Sequence, residues 1–450
     1  MPRSPAISPF SVPLNRRDAL HSGALFGAGA VASTLPFADV ALAQQADAAA
    51  RWPQVAAFVR RYVEGRKITG MVTALGFGER EPDYIARGNG TFNGGSAVGP
   101  DSIYRIYSMT KPVTGMAAMI CMDDGLLELD QPVHEILPAF RNMQVQKTYD
   151  GPITADNLEP ATRPITIRHL LTHTSGLGYG IIQQGPIRDA YMREGINPGR
   201  LSNSPIARQF LGSFTTAPSL EAFADRLAEL PLVRQPGTRW SYSVGLDLLG
   251  RVIEVVSGQS FDSFLQDRIF DPVGMEDTHF RVPRSKADRL TGNYFLVGGM
   301  PLPIDLPGSS VYLDEPEFPF GGAGLASTAR DYDRFLQMVA NLGEIDGTRV
   351  ISEENVRLGT SDLFPDTLVE GGGFTGSGQE YGFGAGGLVG RGEMAGLFGW
   401  FGAAGTAGLA YMPLRLRMTM MTQYMPQDAL PMQAEFPRTV LQDVAAMQPA

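Results

Sequence analysis

The spacing of apolar residues along the chain predicts two amphipathic helices. In the first, one face carries Val55, Phe58, Val59, Tyr62 and Val63. In the second, one face carries Tyr332, Phe335, Leu336 and Val339. Both sets recur at intervals of three and four residues, so each helix is expected to bury one face against the protein. Residues 116–122 are almost wholly apolar and predict a buried helix, and residues 436–447 predict a closing helix.

Predicted strands cluster towards the two ends of the chain. They cover residues 68–77, 83–87, 103–107, 408–412 and 417–423. Between them, residues 112–320 mix short helical patterns with connections rich in Pro and Gly. This order predicts an α/β (α+β) fold in which an antiparallel sheet is completed by both ends of the chain. We expect a sheet domain over 44–107 plus 325–450, an inserted mostly helical domain with long loops over 108–324, and an active site between them.

Residues 1–43 have the pattern of an export signal. Paired Arg16 and Arg17 precede an Ala-, Gly- and Leu-rich stretch without charge, and residues 41–43 offer a small-residue cleavage site. The stretch is too short and too rich in glycine for a membrane-spanning helix. We therefore predict twin-arginine export, a periplasmic or secreted product, and no membrane span.

Charge and cysteine content exclude several classes of function. The formal net charge of -10 is the wrong sign for coating nucleic acid or anionic lipid. The single Cys121 cannot form an internal disulfide, and one Cys with five His leaves few ligands for a Cys/His metal site. We expect no metal, no cofactor and no nucleic-acid partner.

The first candidate for chemistry lies at the start of the buried helix. Ser108 and Lys111 are three residues apart, so their side chains share one helix face. A serine hydroxyl becomes a nucleophile when a neighbouring base takes its proton, and a partly desolvated lysine is such a neighbour. Taken alone, this S-x-x-K pattern is a weak signal, and a helix-capping serine with a solvated lysine is the favoured interpretation.

Two further segments add to this pattern. Tyr242 lies where a Gly- and Pro-containing turn passes into a helix that has Leu249, Val252 and Ile253 on one face. Residues 398–406 combine aromatic and small residues before a predicted strand, and small residues leave backbone N–H groups accessible.

The chain at this point resembles the superfamily of serine β-lactamases and penicillin-binding proteins, specifically its class C β-lactamase-like branch, which includes the family VIII esterases. Four ordered segments carry the resemblance: Ser108 to Lys111, Ile165 to Leu177, Tyr242 to Val244, and Gly321 to Asp331. It covers most of the chain after the export signal. It implies the β-lactamase/DD-peptidase-like fold and acyl transfer through a serine.

The resemblance also implies roles for individual residues. Ser108 would be the acylated nucleophile, with Lys111 and Tyr242 as the base pair that moves its proton. The backbone N–H groups of Ser108 and Ala403 would form the oxyanion hole.

Departures from the β-lactamase pattern concern the substrate. Val244 stands where those enzymes have Asn, and Trp400, Phe401 and Gly402 stand where they have Lys-Thr-Gly. An apolar wall cannot pair with a substrate carboxylate, and burying an unpaired charge is unfavourable. We expect these four residues to bind neutral small-molecule esters. A β-lactamase or D-amino-acid-type peptidase, an acyltransferase, and a non-catalytic binding homologue are the alternatives.

Other signals favour structural roles. Residues 382–387 match G-x-G-x-x-G without the context of a nucleotide site, and a glycine-rich strand edge is the preferred interpretation. His169 and His173 have the spacing of two metal ligands on a helix, but a helix end follows at once and hydrogen-bonding structural roles are favoured. Cys121 is expected in the core.

Overall fold

A computed structural model describes residues 45–197, 199–204, 215–369 and 381–447. The predicted export signal lies outside these ranges and stays a prediction, as does its consequence for location. Residues 370–380 also lie outside them. Over the described residues, no helix combines the length and the hydropathy needed to cross a membrane.

The described residues form an eight-stranded antiparallel sheet. Its members are β1 (Gly70–Phe77), β2 (Asp83–Thr91), β3 (Gly94–Ala97), β12 (Tyr381–Phe383), β13 (Leu388–Gly390), β14 (Leu397–Phe401), β15 (Ala407–Tyr411) and β16 (Leu416–Met421). Their order is β12-β13-β14-β15-β16-β1-β2-β3. β16 pairs with β1, so that Val72 faces Met421 and Phe77 faces Leu416. The predicted fold class, with a sheet completed by both ends of the chain, is confirmed.

Helices cover both faces of this sheet. Helix α1 spans 45–51. On the same face lie α2 (Pro53–Glu64) and α12 (Met432–Met447), and on the opposite face lies α10 (Ala329–Ala340). Side chains of β1 point to the two faces of the sheet. Met71 and Leu75 pack with α2, and Val72 and Ala74 pack into the core on the other side. Both predicted amphipathic helices and the closing helix are confirmed.

The middle of the chain consists of short helices joined by long connections, with short hairpins between them. Its helices are α3 (Thr110–Asp123), α4 (Ile167–Leu171), α5 (Gly185–Arg193), α6 (Leu220–Ala228), α7 (Gly245–Ser257), α8 (Phe261–Leu265) and α9 (Asp271–Val273), and α11 (Glu353–Gly359) follows α10. The short strands are β4 (Tyr104–Arg105), β5 (Gln144–Gln146), β6 (Leu158–Pro160), β7 (Asn293–Val297), β8 (Met300–Asp305), β9 (Ala326–Ser327), β10 (Glu344–Ile345) and β11 (Thr348–Arg349). The predicted domain boundaries stay a prediction.

The sequence pattern does not identify β12, β13 or β14. Residues 398–406 are expected to precede a strand, but Leu397–Phe401 is itself a strand and residues 402–406 are the turn after it. The first four residues of β14 are buried on both faces of the sheet, so the polar alternation that marks a half-exposed strand is missing. The glycine-rich edge expected over 382–387 is confirmed where β12 lies, because β12 is the outermost of the described strands at that side.

A buried ion pair fixes the segment that leads to Ser108. Arg105 in β4 is fully buried, and its Nε donates to Asp305 Oδ2 at 2.5 Å. Its Nη1 donates to the backbone oxygen of Thr291 and to Gln423 Oε1. Asp305 belongs to the β7–β8 hairpin and Gln423 follows β16, so one guanidinium joins three chain segments beside the serine turn.

Candidate active site

Ser108 occupies a single 3₁₀ turn, Tyr107–Met109, immediately before α3. Tyr107 has φ of 41°, a conformation that non-glycine residues rarely adopt. Two bonds hold this strained turn: Asn293 Nδ2 donates to Tyr107 Oη at 3.0 Å, and Tyr332 Oη donates to the backbone oxygen of Met109 at 2.9 Å. The result is a partly exposed serine between two buried neighbours.

Lys111 lies in the first turn of α3 with its side chain fully buried. Its Nζ donates to Ser108 Oγ at 3.1 Å and to the backbone oxygen of Gly322 at 2.7 Å. The same nitrogen lies 4.6 Å from the ring centroid of Tyr242 and 5.7 Å from that of Tyr179. Acceptor oxygens and aromatic faces around Nζ form an environment suited to an ammonium group.

Tyr242 completes the group from the loop before α7. Its hydroxyl donates to Ser108 Oγ at 2.8 Å, and Trp400 Nε1 donates to Tyr242 Oη at 3.2 Å. The structure therefore brings Ser108, Lys111 and Tyr242 together, with two hydrogen-bond partners on the serine oxygen. The contact from Trp400 is not anticipated by the sequence, which presents that residue only as part of an apolar wall.

His173 holds the Tyr242 loop in place. Its Nδ1 accepts the backbone N–H of Ser243 at 3.2 Å and lies 3.0 Å from Ser243 Oγ, while its backbone oxygen accepts the N–H of Ser241 at 2.9 Å. Its ring meets the Tyr242 ring edge to face, with centroids 4.7 Å apart. Burial, together with the Lys111 charge, holds the pKa of His173 well below its usual value, so the ring is neutral.

His169 stabilises the start of α4. Its Nδ1 accepts the backbone N–H of Thr166 at 3.1 Å, and the Thr166 side chain accepts the N–H of His169 in return. This is a capping box at the start of a short helix. Burial lowers the pKa of His169 to about 4. The hydrogen-bonding roles expected for both histidines are confirmed. No cluster of three or more metal-ligating side chains occurs in the residues that the structure describes.

Asp247 is a buried carboxyl that the sequence motifs do not include. It lies in the first turn of α7, 1% exposed, and its Oδ1 accepts the backbone N–H of Gly322 at 2.8 Å. Burial raises its pKa to about 6, while the Lys111 charge and the bonded amide act in the opposite direction. The available signal is an acidic residue within the apolar run of a helix that begins just after Tyr242.

The turn after β14 lies against the serine turn. Gly402 N–H donates to the Thr406 oxygen at 2.9 Å, and a Cβ on Gly402 would lie 2.5 Å from the backbone oxygen of Ile106. Only glycine permits this approach. Within the described ranges, the amides of Ser108 and Ala403 donate no hydrogen bond to the protein. Two free N–H groups of this kind are what the predicted oxyanion hole requires.

The remaining predicted site residues differ in exposure. Trp400 is 7% exposed and Phe401 is half-buried beside it, with ring centroids 6.3 Å apart. Phe383 and Trp240 extend this aromatic group around Tyr242. Val244 is fully buried in the hydrophobic core at the start of α7. Its side chain is not exposed, and its predicted contact with substrate stays a prediction.

Comparisons with known proteins identify the family of this chain. A sequence model of the family described as Beta-lactamase matches residues 55–436. Protein Rv1367c of Mycobacterium tuberculosis is 34% identical over 310 residues, which cover 69% of this chain and 72% of that protein. Esterase EstB of Burkholderia gladioli is 32% identical over 281 residues, which cover 58% of this chain and 64% of EstB.

The fold is also similar to that of solved structures. EstCE1, described as a hydrolase with promiscuous acyltransferase activity, matches with a TM-score of 0.68 at 23% identity over 90% of this chain and 99% of that one. The resemblance drawn from four sequence segments is therefore confirmed. Since the family model spans most of the chain and the fold agrees, this protein belongs to the beta-lactamase family.

Proposed function

We propose that this protein is a serine hydrolase that cleaves small carboxylic esters through an acyl-Ser108 intermediate. The observation that carries the proposal is the convergence of Tyr242 Oη and Lys111 Nζ on Ser108 Oγ, at 2.8 Å and 3.1 Å. A hydroxyl with two proton-handling partners in hydrogen-bond reach is the arrangement of an activated nucleophile. The similarity to EstB, an esterase, supports hydrolysis of esters.

The proposed reaction has two halves. The reactive form has Tyr242 as a phenolate, its own proton released to solvent, beside the ammonium group of Lys111. In the first half, Ser108 Oγ attacks the ester carbonyl carbon as its proton passes to the Tyr242 oxygen, and the N–H groups of Ser108 and Ala403 bind the developing oxyanion. Collapse of the tetrahedral intermediate breaks the ester bond, and the departing alcohol takes a proton from Tyr242. In the second half, water attacks the acyl group, gives a proton to Tyr242, and frees Ser108 and the carboxylic acid.

The aromatic group beside Tyr242 supports a preference for neutral acyl groups. Trp400 and Phe401 stand where a cationic residue would pair with a β-lactam carboxylate, and Lys111 is fully buried among its own partners. A substrate carboxylate placed here would lose its hydration without gaining an ion pair. Penicillins and cephalosporins are therefore expected to be poor substrates.

Acyl transfer to an alcohol is the second candidate. It uses the same acyl-Ser108 intermediate, with an alcohol replacing water in the second half. The likeness to EstCE1, whose description includes promiscuous acyltransferase activity, favours testing it. The product distinguishes the two outcomes, because transfer yields a new ester and hydrolysis yields an acid.

Turnover of p-nitrophenyl butyrate tests the proposal. We expect activity in the unaltered protein, loss of at least about 10³-fold in Ser108→Ala, and no change in Ser309→Ala, an exposed serine. A fluorophosphonate should add one adduct, which mass spectrometry places on Ser108. A chromogenic cephalosporin turned over faster than the ester would favour a β-lactamase. Equal turnover in Ser108→Ala would refute the proposal.

A further inference from the structure

We propose that Asp247 is a positioning residue for Lys111, a buried counter-charge that holds the lysine ammonium beside Ser108 through the backbone of Gly322. The inference rests on the proposed function and extends it to a residue outside the four family-like segments. It predicts that the carboxylate of Asp247, and not only its hydrogen bond, is needed for activity.

The backbone of Gly322 connects Asp247 to Lys111. Gly322 N–H donates to Asp247 Oδ1 at 2.8 Å, and the carbonyl oxygen of Gly322 accepts from Lys111 Nζ at 2.7 Å. The neighbouring oxygen of Gly321 accepts from Thr114 Oγ1 at 2.7 Å, which attaches the same segment to α3. Displacement of the Asp247 carboxylate would therefore move the carbonyl group that orients Lys111.

Close packing around this segment leaves no room for side chains at Gly321 and Gly322. A Cβ on Gly322 would lie 2.6 Å from Asp247 Oδ2, and one on Gly321 would lie 2.5 Å from the Leu246 oxygen. Contacts this short do not occur for real side chains, so both positions require glycine for α7 and the loop to meet. The packing of this loop between α7 and α3 therefore explains why the two residues before Ala323 are glycines.

Few charged or titratable groups face Asp247. Among the described residues they are Lys111 from α3 and Tyr179 from the loop after α4. On α4 and α6, Arg168 pairs with Asp130 and Glu221 pairs with Arg251, both nearer the surface. Lys111 is therefore the one cationic group that interacts with Asp247 among the described residues.

Burial makes the charge on Asp247 sensitive to mild acid. Because its pKa is raised to about 6, the carboxylate is ionised at pH 8 and largely neutral at pH 5. Its buried charge is unfavourable for the fold and is retained next to the proposed catalytic lysine. A charged group that the fold disfavours at such a place points to a role in activity.

The substitution Asp247→Asn separates charge from shape. The asparagine Oδ1 can still accept the N–H of Gly322, so the geometry is kept and only the carboxylate is removed. The matched control is Asp331→Asn. Asp331 is also buried with a pKa raised to about 6, but it bonds Asp277 N–H and Thr278 Oγ1.

The measurement is kcat/KM for p-nitrophenyl butyrate from pH 5 to pH 9, together with the thermal midpoint at pH 8. For the unaltered protein we expect an acid limb centred near pH 6. For Asp247→Asn we expect kcat/KM at pH 8 to fall about 10-fold to 100-fold, the limb near pH 6 to disappear, and the thermal midpoint to be equal or higher. Asp331→Asn should keep the acid limb, and Asp247→Glu should recover part of the rate.

Three results would overturn the inference. The first is a pH profile and rate for Asp247→Asn that equal those of the unaltered protein. The second is a loss of rate matched by a fall in the thermal midpoint, which indicates a merely structural role. The third is a flat profile between pH 5 and pH 8 in the unaltered protein, which decides the matter even where the variant does not fold. Undiminished activity of Ser108→Ala would instead refute the proposed function itself.

Discussion

At the scale of single residues, the oxygen of Tyr242 takes part in two hydrogen bonds. It donates to Ser108 Oγ at 2.8 Å and accepts from Trp400 Nε1 at 3.2 Å. A donor that points at a phenolic oxygen stabilises negative charge there and becomes more favourable if the tyrosine gives up its proton. Trp400 is therefore expected to assist Tyr242 as well as to shape the wall of the site.

The substitution Trp400→Phe tests this contact. It keeps an aromatic ring against Tyr242 and Phe383 and removes the N–H donor together with part of the indole ring. The loss of one hydrogen bond that strengthens during reaction is expected to lower kcat by about 10-fold, with little change in KM. Steady-state kinetics on p-nitrophenyl butyrate measure both constants.

Trp240→Phe is the control for this experiment. Trp240 stacks on the Tyr242 ring at 5.9 Å and 19°, so the variant loses the same indole volume beside the same tyrosine. We expect kcat to change less than in Trp400→Phe. Equal losses in the two variants would show that packing, and not the N–H donor, accounts for the effect.

The sequence could predict some of these residues and not others. Ser108 and Lys111 are three positions apart in one element, so local geometry alone places them together. Tyr242 could be found only through the motif it shares with a family, because it is 134 residues away from Ser108. The contacts of Trp400 and Asp247 depend on how β14 and α7 pack against the serine turn, and no local pattern contains that information.

At the scale of secondary-structure elements, the turn after β14 fixes the distance between the sheet and the serine turn. Gly402→Ala would place a Cβ 2.5 Å from the Ile106 oxygen and 2.1 Å from Thr406 Oγ1. The turn and the amide of Ala403 must then move away from Ser108. We expect kcat/KM to fall at least about 10²-fold, as for loss of an oxyanion donor, and stability to fall by about 1–3 kcal/mol.

Gly308→Ala provides the comparison for this turn. Gly308 is exposed, and a Cβ added there would meet no other atom within 4 Å, so neither rate nor thermal midpoint should change. The measurements are kcat/KM and a thermal melt for each variant. Full activity in Gly402→Ala would show that the turn does not position a group needed for reaction.

The exposure of each element to solvent explains whether the sequence pattern could predict it. The helix over Pro53–Glu64 shows a clear apolar face because its other face meets water. Strands β12 to β14 are buried on both sides and contain Gly382, Gly390 and Gly399, so they lack alternation, and Val389 is their one β-branched residue. Their pairing partners, and not their own side chains, make them strands.

At the scale of the whole molecule, the two ends of the described chain stabilise each other. β16 pairs with β1, and Asp443 in α12 accepts the backbone N–H groups of Gln54 and Val55 at the start of α2. The fully buried ion pair of Arg417 and Asp333 joins β16 to α10. The predicted closure of the sheet by both ends followed from the order of strands, but the ion pairs and the cap could not be predicted from that order.

The change in the free energy of unfolding with pH is a property of the whole molecule. Single buried groups contribute to it with opposite signs. The pKa of His169 falls from 6.5 to about 4 on folding, so between these values the unfolded chain binds a proton that the folded chain does not. The free energy of unfolding therefore decreases as the pH falls through this window, by about 3 kcal/mol for this residue. The pKa values of Asp247 and Asp331 are raised to about 6, so between pH 6 and the usual range of Asp the folded chain binds protons that the unfolded chain does not. These two residues therefore increase the free energy of unfolding as the pH falls.

The substitution His169→Gln isolates one of these contributions. Glutamine at this position can still accept the N–H of Thr166 and keep the capping box, but it does not titrate. Between pH 7 and pH 4, the free energy of unfolding of His169→Gln is expected to rise by about 3 kcal/mol relative to that of the unaltered protein. Below pH 4 this difference should change no further. Urea unfolding at a series of pH values measures this difference. Parallel stability curves would mean that His169 takes up its proton in the folded state at its usual pH, and the buried cap would then have to tolerate a charged ring.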